Sequence, residues 1–275
     1  MEEHIESQKQ NEQNPDIPVV ILCGGRGTRL KEETEIIPKP LVKIGERPLL
    51  WHIMKIYSAH GWNHFILPVG YKGEKIKEYF LNYDILQGDF TVDMKSGGKT
   101  VTLEAPVKEQ WKVTIADTGL KTEAGARIKL IEPYITGDRF FLTYGDGVSN
   151  VDIHELLKFH TEQGKIATVT GVRAPARFGE ITMEEDSAAS FAEKPRSRQG
   201  YINGGFFVLE RSIFQFLKKD EWFNFERDAL PVLAKERQLA VFRHDGYWQC
   251  MDTPRDMELL EEQWQKGSAP WKVWE

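Results

Sequence analysis

Apolar residues occur along this chain in short continuous runs that are separated by amphipathic stretches. The runs at 17–23, 65–69, 140–143 and 166–172 have the pattern of strands buried on both faces of a sheet. Helical spacing of apolar residues follows them, as at Leu50, Ile53, Met54 and Tyr57. This alternation predicts an α/β fold.

Capping residues mark where the helices begin and end. Pro48 can begin a helix that Gly61 ends, Asp152 can cap another, and Thr253 with Pro254 can begin a last helix that ends near Gly267. A further helix is predicted at 75–81. The expected architecture is a Rossmann-like, doubly wound mixed sheet with helices on both faces.

One stretch departs from this pattern. Between residues 90 and 116 the apolar positions alternate with period two, and Gly97-Gly98 interrupts the alternation, which predicts a β-hairpin insertion. No repeat or flexible linker divides the chain, so residues 17–275 are expected to form a single domain. Residues 1–16 are polar and are expected to be a disordered N-terminal extension.

Composition and charge exclude several classes of protein. The chain has 275 residues, 40% of them hydrophobic and 28% charged, which excludes global disorder. Its formal net charge is −6, so no nucleic-acid partner is expected. The apolar runs are too short to span a membrane, and no signal segment is visible at the start. With only two cysteines, Cys23 and Cys250, a reducing cytoplasm is the expected compartment.

A glycine-rich segment follows the first predicted strand directly. Backbone amides without Cβ bulk, as at Gly24, Gly25 and Gly27, can approach a phosphate closely. The segment lacks the Gly-Lys-Ser/Thr ending of an ATPase loop and has Leu30 where a dinucleotide fingerprint needs glycine. From these residues alone it is either a phosphate loop or an ordinary turn.

Further motifs follow this segment in a fixed order. They are Gly24-Gly25-Arg26-Gly27-Thr28-Arg29-Leu30, Pro38-Lys39-Pro40-Leu41, Tyr144-Gly145-Asp146-Gly147, Glu193-Lys194-Pro195, Asn203-Gly204-Gly205-Phe206 and Trp248-Gln249-Cys250-Met251-Asp252-Thr253. Together they resemble the signature of the sugar-nucleotidyltransferases, enzymes that join a nucleoside triphosphate to a sugar 1-phosphate. Segments such as Asp117-Thr118-Gly119 and Ala269-Pro270-Trp271-Lys272 resemble the members of that family that use CTP and glucose 1-phosphate.

The resemblance implies a role for each motif in bringing two mutually repelling phosphate groups together. The catalytic cations are expected to be Arg29 and Lys39, which would offset charge on the nucleotide phosphates and the leaving group. The carboxylates of Asp146 and Asp252 are expected to hold Mg²⁺. Residues implied at the substrates are Leu22, Gly24, Gly25, Arg26, Gly27, Thr28, Thr122, Arg127 and Gly145 for the nucleotide, and Glu193, Lys194, Asn203 and Gly204 for the sugar phosphate.

Some of these residues have ordinary alternatives. Asp252 could serve only the N-terminus of the following helix, and Arg29 and Lys39 could be solvated surface cations. The implied activity has three rivals: a nucleotidyltransferase for another sugar or triphosphate, a glycosyltransferase, and a catalytically silent sugar-nucleotide sensor. A glycosyltransferase of this build typically holds its metal through Asp-x-Asp, which does not occur in the sequence. The resemblance also implies a homo-oligomer, in which the hairpin insertion could contact another subunit.

Overall fold

The structure is a computed structural model, and it describes residues 17–25, 27, 30, 34–94, 100–103, 108–173, 180–184, 187–192 and 200–275. The expected N-terminal extension, 1–16, lies outside the described residues. The α-helices in the described part are α1 Leu49–Ala59, α2 Gly73–Leu81, α3 Ala124–Leu130, α4 Ile153–Gln163, α5 Leu230–Lys235 and α6 Pro254–Gln265.

Strands make up most of the remaining regular structure. They are β1 Val19–Leu22, β2 Lys43–Ile44, β3 Arg47–Pro48, β4 His64–Val69, β5 Phe90–Asp93, β6 Thr100–Leu103, β7 Lys112–Asp117, β8 Arg139–Tyr144, β9 Gly147–Ser149, β10 Ala167–Val172, β11 Glu180–Glu184, β12 Ser187–Ala192, β13 Ile202–Glu210, β14 Leu239–His244 and β15 Trp248–Cys250. A 3₁₀ turn at Lys39–Leu41 and a π-helical turn at Phe225–Ala229 complete the parts used below.

Seven strands form the central sheet, in the order β14-β10-β13-β8-β1-β4-β7. β1 pairs in parallel with both β4 and β8, and β13 runs antiparallel to its two neighbours. Successive residues of β1 enter opposite cores: Val19 and Ile21 pack on the side of α1, α4 and α6, and Val20 packs on the side of α3 and α5. Both faces are therefore covered, and the predicted doubly wound mixed sheet is confirmed.

The predicted hairpin insertion is shorter than the sequence indicated. β5 and β6 pair antiparallel from Phe90↔Leu103 to Asp93↔Thr100, and the predicted glycine turn between them lies outside the described residues. Residues 112–116 do not belong to the hairpin, because they form β7, which pairs in parallel with β4. An edge strand that is buried on one face has the same period-two pattern as a hairpin strand, so the sequence could not separate them.

Two strands of the central sheet, β13 and β14, were not predicted from the sequence. β13 is nine residues long and reverses direction between β8 and β10. Its first half contains Asn203, Gly204 and Gly205, which as a local pattern indicate a turn rather than a strand. Packing between two buried neighbours overrides that local preference and brings Asn203 to the sheet end where β8 terminates.

Among the described residues, none of the helices has both the length and the apolar character needed to cross a bilayer.

The C-terminal segment packs onto α1 through a cluster of aromatic rings around His52. The His52 ring is fully buried, and its Nε2 lies 2.9 Å from the carbonyl oxygen of Ile44 in β2. Because that carbonyl can only accept, Nε2 carries the proton. The ring also lies 4.6 Å from the ring of Trp264 in an edge-to-face arrangement and near Trp271. This cluster packs α6, which begins just after Asp252, against α1 and β2, which follow Lys39 in the sequence.

The buried His52 ring makes stability depend on pH. Burial lowers its pKa from 6.5 to about 4, so an unfolded chain binds this proton more readily than the folded one. We expect the free energy of unfolding to fall by up to about 3 kcal/mol from this group as the pH drops from 6.5 to 4. Urea titrations at several pH values should show a smaller loss in this window for His52→Asn than for the wild type.

Equal pH slopes for the wild type and His52→Asn would contradict the prediction.

Candidate active site

Most of the predicted site residues that the structure describes lie near the carboxyl ends of the parallel strands, where open α/β sheets bind ligands. A cavity of about 590 Å³ opens there between the ends of β1 and β8 and the start of α3. Nine of the residues singled out in the sequence line it: Leu22, Gly24, Gly25, Gly27, Lys39, Thr122, Arg127, Gly145 and Asp146. Arg26, Thr28, Arg29, Glu193 and Lys194 lie outside the described residues.

The glycine-rich turn is shaped by its contact with a buried arginine. A Cβ at Gly24 would lie 2.2 Å from Cζ of Arg127, so any other residue there would displace the Arg127 guanidinium. Gly25 is exposed and has no atom within 4 Å of an added Cβ, which leaves its backbone open toward the cavity. Gly27 has a left-handed φ of +59°. Its carbonyl accepts hydrogen bonds from the Leu30 backbone amide and from the Thr34 hydroxyl group. Gly24, Gly25 and Gly27 therefore present backbone atoms to the cavity.

Arg127, at the centre of α3, links three segments that border the cavity. Its Nη1 donates to Thr118 Oγ1 at 2.6 Å and to the Val69 carbonyl at 3.1 Å, and its Nη2 donates to the Gly24 carbonyl at 3.1 Å. Burial lowers the pKa of Arg127, with Glu123 opposing that effect, but a guanidinium remains charged at neutral pH. The cavity wall thus holds a positive charge that is already positioned by backbone carbonyls.

Lys39 lies between the two predicted metal carboxylates. Its Nζ is 2.7 Å from Asp146 Oδ2 and 2.7 Å from Asp252 Oδ1. Burial alone would lower the pKa of Lys39, but the charge of Asp146 and the hydrogen bonds to both carboxylates outweigh it and raise the pKa. The alternative of Lys39 as a solvated surface cation is therefore wrong, and the sequence analysis did not foresee the contact with both aspartates.

Asp146 and Asp252 are held together by backbone pairing. β9 follows Asp146 and pairs antiparallel with β15, which precedes Asp252, and the Met251 amide donates to the Asp146 carbonyl at 2.8 Å. The cap of α6 is Thr253, which forms a reciprocal capping box with Asp256. The Asp252 carboxylate is not needed as that cap and accepts from Lys39 instead.

The side-chain atoms that surround Lys39 Nζ are suitable ligands for a divalent metal ion. One oxygen each from Asp146 and Asp252, with Sγ of Cys250, lie within 4.8 Å of one another. Carboxylate oxygens are the ligands that hard divalent cations prefer. The Lys39 ammonium, bonded to both carboxylates, shows that this point stabilises a cation.

Both cysteines lie beside the site as uncharged thiols. Cys23 lines the cavity, and Cys250 lies close to Asp146 and Asp252. Burial is the main cause that raises the pKa of each thiol well above its usual range, so neither is a thiolate at neutral pH.

On the sugar side of the predicted site, Asn203 and Gly204 begin β13. A Cβ at Gly204 would lie 2.5 Å from Val172 Cγ1 and 2.9 Å from the Thr170 carbonyl, both in β10. Glycine is thus required here for close packing of two strands. The sequence analysis had named Gly204 for the sugar alone. Gly204 also contacts the strand that leads to Asp252, because Trp248 Nε1 in β15 donates to the Gly204 carbonyl at 2.7 Å.

Several lining residues were given no role at the site from the sequence. They are Cys23, Pro40, Leu120, Lys121, Glu123, Ala124, Tyr144 and Trp222. Pro40 and Tyr144 belong to the quoted motifs, and Tyr144 ends a buried strand two residues before Asp146, so its place at the site could have been predicted. Trp222 and Leu120 are exposed apolar residues in segments without a motif, and no local signal relates them to a site.

A glycine turn and paired carboxylates at the carboxyl end of a mostly parallel sheet define an α/β protein of the nucleotide-binding class. Comparison with known proteins narrows this class. The sequence model of the family described as nucleotidyl transferase matches residues 18–264, and the chain belongs to that family. The family binds a nucleoside triphosphate and a sugar phosphate and typically uses a divalent metal.

Two relatives are similar over nearly their whole length. "Probable glucose-1-phosphate cytidylyltransferase" of Bacillus subtilis is 48% identical over 255 residues, which cover 93% of this chain and 99% of that protein. Glucose-1-phosphate cytidylyltransferase of Salmonella typhi is 47% identical over 257 residues, with the same coverage. Among solved structures, HddC of Yersinia pseudotuberculosis complexed with GMP-PN matches with a TM-score of 0.63 and 26% identity, over 90% of this chain and 99% of that one.

The position of Lys39 leads to a prediction about metal binding. Lys39→Met leaves Asp146 and Asp252 facing each other without a cation, so in metal-free buffer the thermal midpoint should fall by about 2–5 °C. Millimolar Mg²⁺ or Mn²⁺ should raise that midpoint more in the variant than in the wild type, because the ion does not compete with the ammonium group. Differential scanning fluorimetry measures both shifts.

Lys43→Met is the matched control, since Lys43 is exposed on the neighbouring strand β2. It should respond to metal as the wild type does. A metal response of Lys39→Met no larger than that of the wild type would show that Lys39 and the ion do not share this point.

Proposed function

We propose that this nucleotidyltransferase transfers a cytidylyl group from CTP to α-D-glucose 1-phosphate, with Mg²⁺ as the metal, and forms CDP-glucose and pyrophosphate. The observation that carries the proposal is the gathering of Lys39, Asp146 and the glycine turn around one cavity in a chain 47–48% identical to proteins named for this activity.

The chemistry balances without a proton transfer. An oxygen of the sugar phosphate forms a bond to the α-phosphorus of CTP, and the bond from that phosphorus to the bridging oxygen of the β-phosphate breaks. Pyrophosphate leaves with the electron pair. Both reactants are anions, so the protein's task is to position them and to offset their charge.

Positive charge from the chain borders the cavity on two sides. The backbone amides of the glycine turn, Gly24 to Gly27, are proposed to bind the triphosphate. Lys39, which lies beside Asp146 and Asp252 and would turn to the phosphates when a metal ion takes its place, and Arg29 are proposed to offset charge on the phosphates and on the leaving pyrophosphate. Mg²⁺ held by the two carboxylates would add charge neutralisation and bring the phosphates of both substrates together.

The base and the sugar are proposed to bind on opposite sides of this point. Thr122 lines the cavity, and Arg127 fixes the segment through Thr118, so both support a nucleotide base at this wall. Leu22 and Gly145 form the floor where β1 and β8 end. Asn203 and Gly204, with Glu193 and Lys194, are proposed for the sugar phosphate.

We further propose that the protein acts in the cytoplasm as a homo-oligomer and supplies a sugar nucleotide for polysaccharide synthesis. The exposed apolar residues Phe90, Met94 and Val101 of the β5–β6 hairpin support a contact between subunits.

A grid of substrates tests the activity. Purified protein is offered CTP, UTP, GTP, ATP or dTTP with glucose, galactose or mannose 1-phosphate, and pyrophosphate release is measured. We expect CTP with glucose 1-phosphate to give the highest kcat/KM, by at least about tenfold. A preference for another triphosphate would overturn the base, and binding of CTP without any pyrophosphate release would indicate a sensor.

Asp146→Asn tests the proposed carboxylate. Loss of one negative charge beside the phosphates should lower kcat by about 10²–10⁴-fold while the circular dichroism spectrum stays unchanged. Asp152→Asn is the matched control, because Asp152 caps α4 and asparagine is an equally good cap. A near wild-type rate for Asp146→Asn would exclude its role.

A further inference from the structure

A chain of hydrogen bonds runs from β13 through β8 to the π-helical turn beside the site. Asn203 Nδ2 donates to the Tyr144 hydroxyl oxygen at 2.9 Å, and the Tyr144 hydroxyl donates to Glu226 Oε1 at 2.5 Å. The Gly205 amide donates to Asn203 Oδ1 at 2.9 Å. Tyr144, in the middle of this chain of hydrogen bonds, lines the cavity, whereas Asn203 and Glu226 at its two ends do not.

The donors and acceptors allow only one direction along this chain. A backbone N–H can only donate, so the Gly205 amide requires Oδ1 of Asn203 on its side. The Nδ2 group must therefore face Tyr144 and donate to it. Because the phenol has a single proton, that proton goes to Glu226, which as a carboxylate can only accept. The orientation of each polar group therefore fixes the orientation of the next one.

This assignment leaves defined positions on the exposed side of Asn203. Counted over the described residues, one N–H of Nδ2 and one lone pair of Oδ1 remain after the contacts with Tyr144 and Gly205 are made. A donor and an acceptor held side by side match the hydroxyl groups of a sugar. If the Asn203 amide were rotated by 180°, this donor and this acceptor would exchange positions.

The Glu226 end of the chain is anchored in the core. Phe225, the preceding residue, is buried and its ring lies 5.5 Å from the ring of Phe207 in β13. Asn224 Oδ1 accepts from the Arg227 amide at 2.8 Å and begins the π-helical turn. Single π-helical turns are frequent at functional sites, because the extra residue redirects one side chain.

The Asn203 end is held from the other side. Trp248 Nε1 donates to the Gly204 carbonyl, and the Tyr144 ring packs so closely on Gly205 that an added Cβ would lie 2.8 Å from it. Tyr144 and Trp248 belong to the strands β8 and β15, which lead to Asp146 and Asp252. The amide of Asn203 is therefore fixed relative to the two carboxylates.

We propose that Tyr144 and Glu226 are positioning residues for the sugar 1-phosphate: the carboxylate orients the phenol, and the phenol holds the Asn203 amide in the one orientation that meets the sugar hydroxyls. This inference rests on the proposed function, because it places the sugar at Asn203. Tyr144 and Glu226 act through Asn203.

The test separates the two substrates. Tyr144→Phe retains the ring that packs on Gly205 but removes the hydroxyl group, so the KM for glucose 1-phosphate should rise about 5–30-fold while the KM for CTP changes less than about twofold. Glu226→Ala should have a similar effect. Glu226→Gln can still accept from the phenol and should restore most of the affinity, whereas a merely structural role would give no such rescue. Thermal midpoints establish that each variant is folded.

Tyr134→Phe is the control, since Tyr134 is exposed in a 3₁₀ turn. If the wild type is active and Tyr144→Phe leaves the sugar KM unchanged, or raises both KM values equally, the positioning role is wrong and the proposed function stands. A wild type that neither turns over nor binds glucose 1-phosphate in calorimetry overturns the proposed function and this inference with it.

Discussion

The arrangement of the site depends on one partly buried cation between two carboxylates. Asp146 and Asp252 would repel each other at this distance, and the Lys39 ammonium, 2.7 Å from both, makes their approach favourable. Residues from three distant parts of the chain thereby meet at one point. Two further contacts hold the same segments together. β9 pairs with β15, and the aromatic cluster around His52 packs α6 against α1.

Charge is divided across the cavity in a way that suits phosphate chemistry. The Arg127 guanidinium and the glycine turn line the cavity, and so do Lys39 and Asp146, with Asp252 joined to them through Lys39. The first group can stabilise an anion, and the two aspartates can stabilise a cation. Neither side needs a titrating group near neutral pH, which agrees with a reaction that transfers no proton.

Local patterns predicted the elements whose surroundings are simple. Continuous apolar runs identified β1, β4, β8 and β10, and the caps Asp152 and Thr253 begin helices as predicted. The elements that failed are those in which neighbours decide: β7 alternates because it lies at an edge, and β13 contains Asn-Gly-Gly, which favours a turn until two strands enclose it. The π-helical turn at Glu226 likewise has no sequence signature.

By itself, the sequence predicted part of the order of strands and helices, the residue types available at their ends and the resemblance to a family, because periodicity and motifs are local properties. Only the tertiary structure decided that Lys39 bridges both aspartates, that Gly204 is required by packing against β10, and that Asn203 is oriented through Tyr144 by Glu226. These contacts join residues tens to hundreds of positions apart. Their geometry arises from how the sheet brings strand ends together, which no single segment specifies.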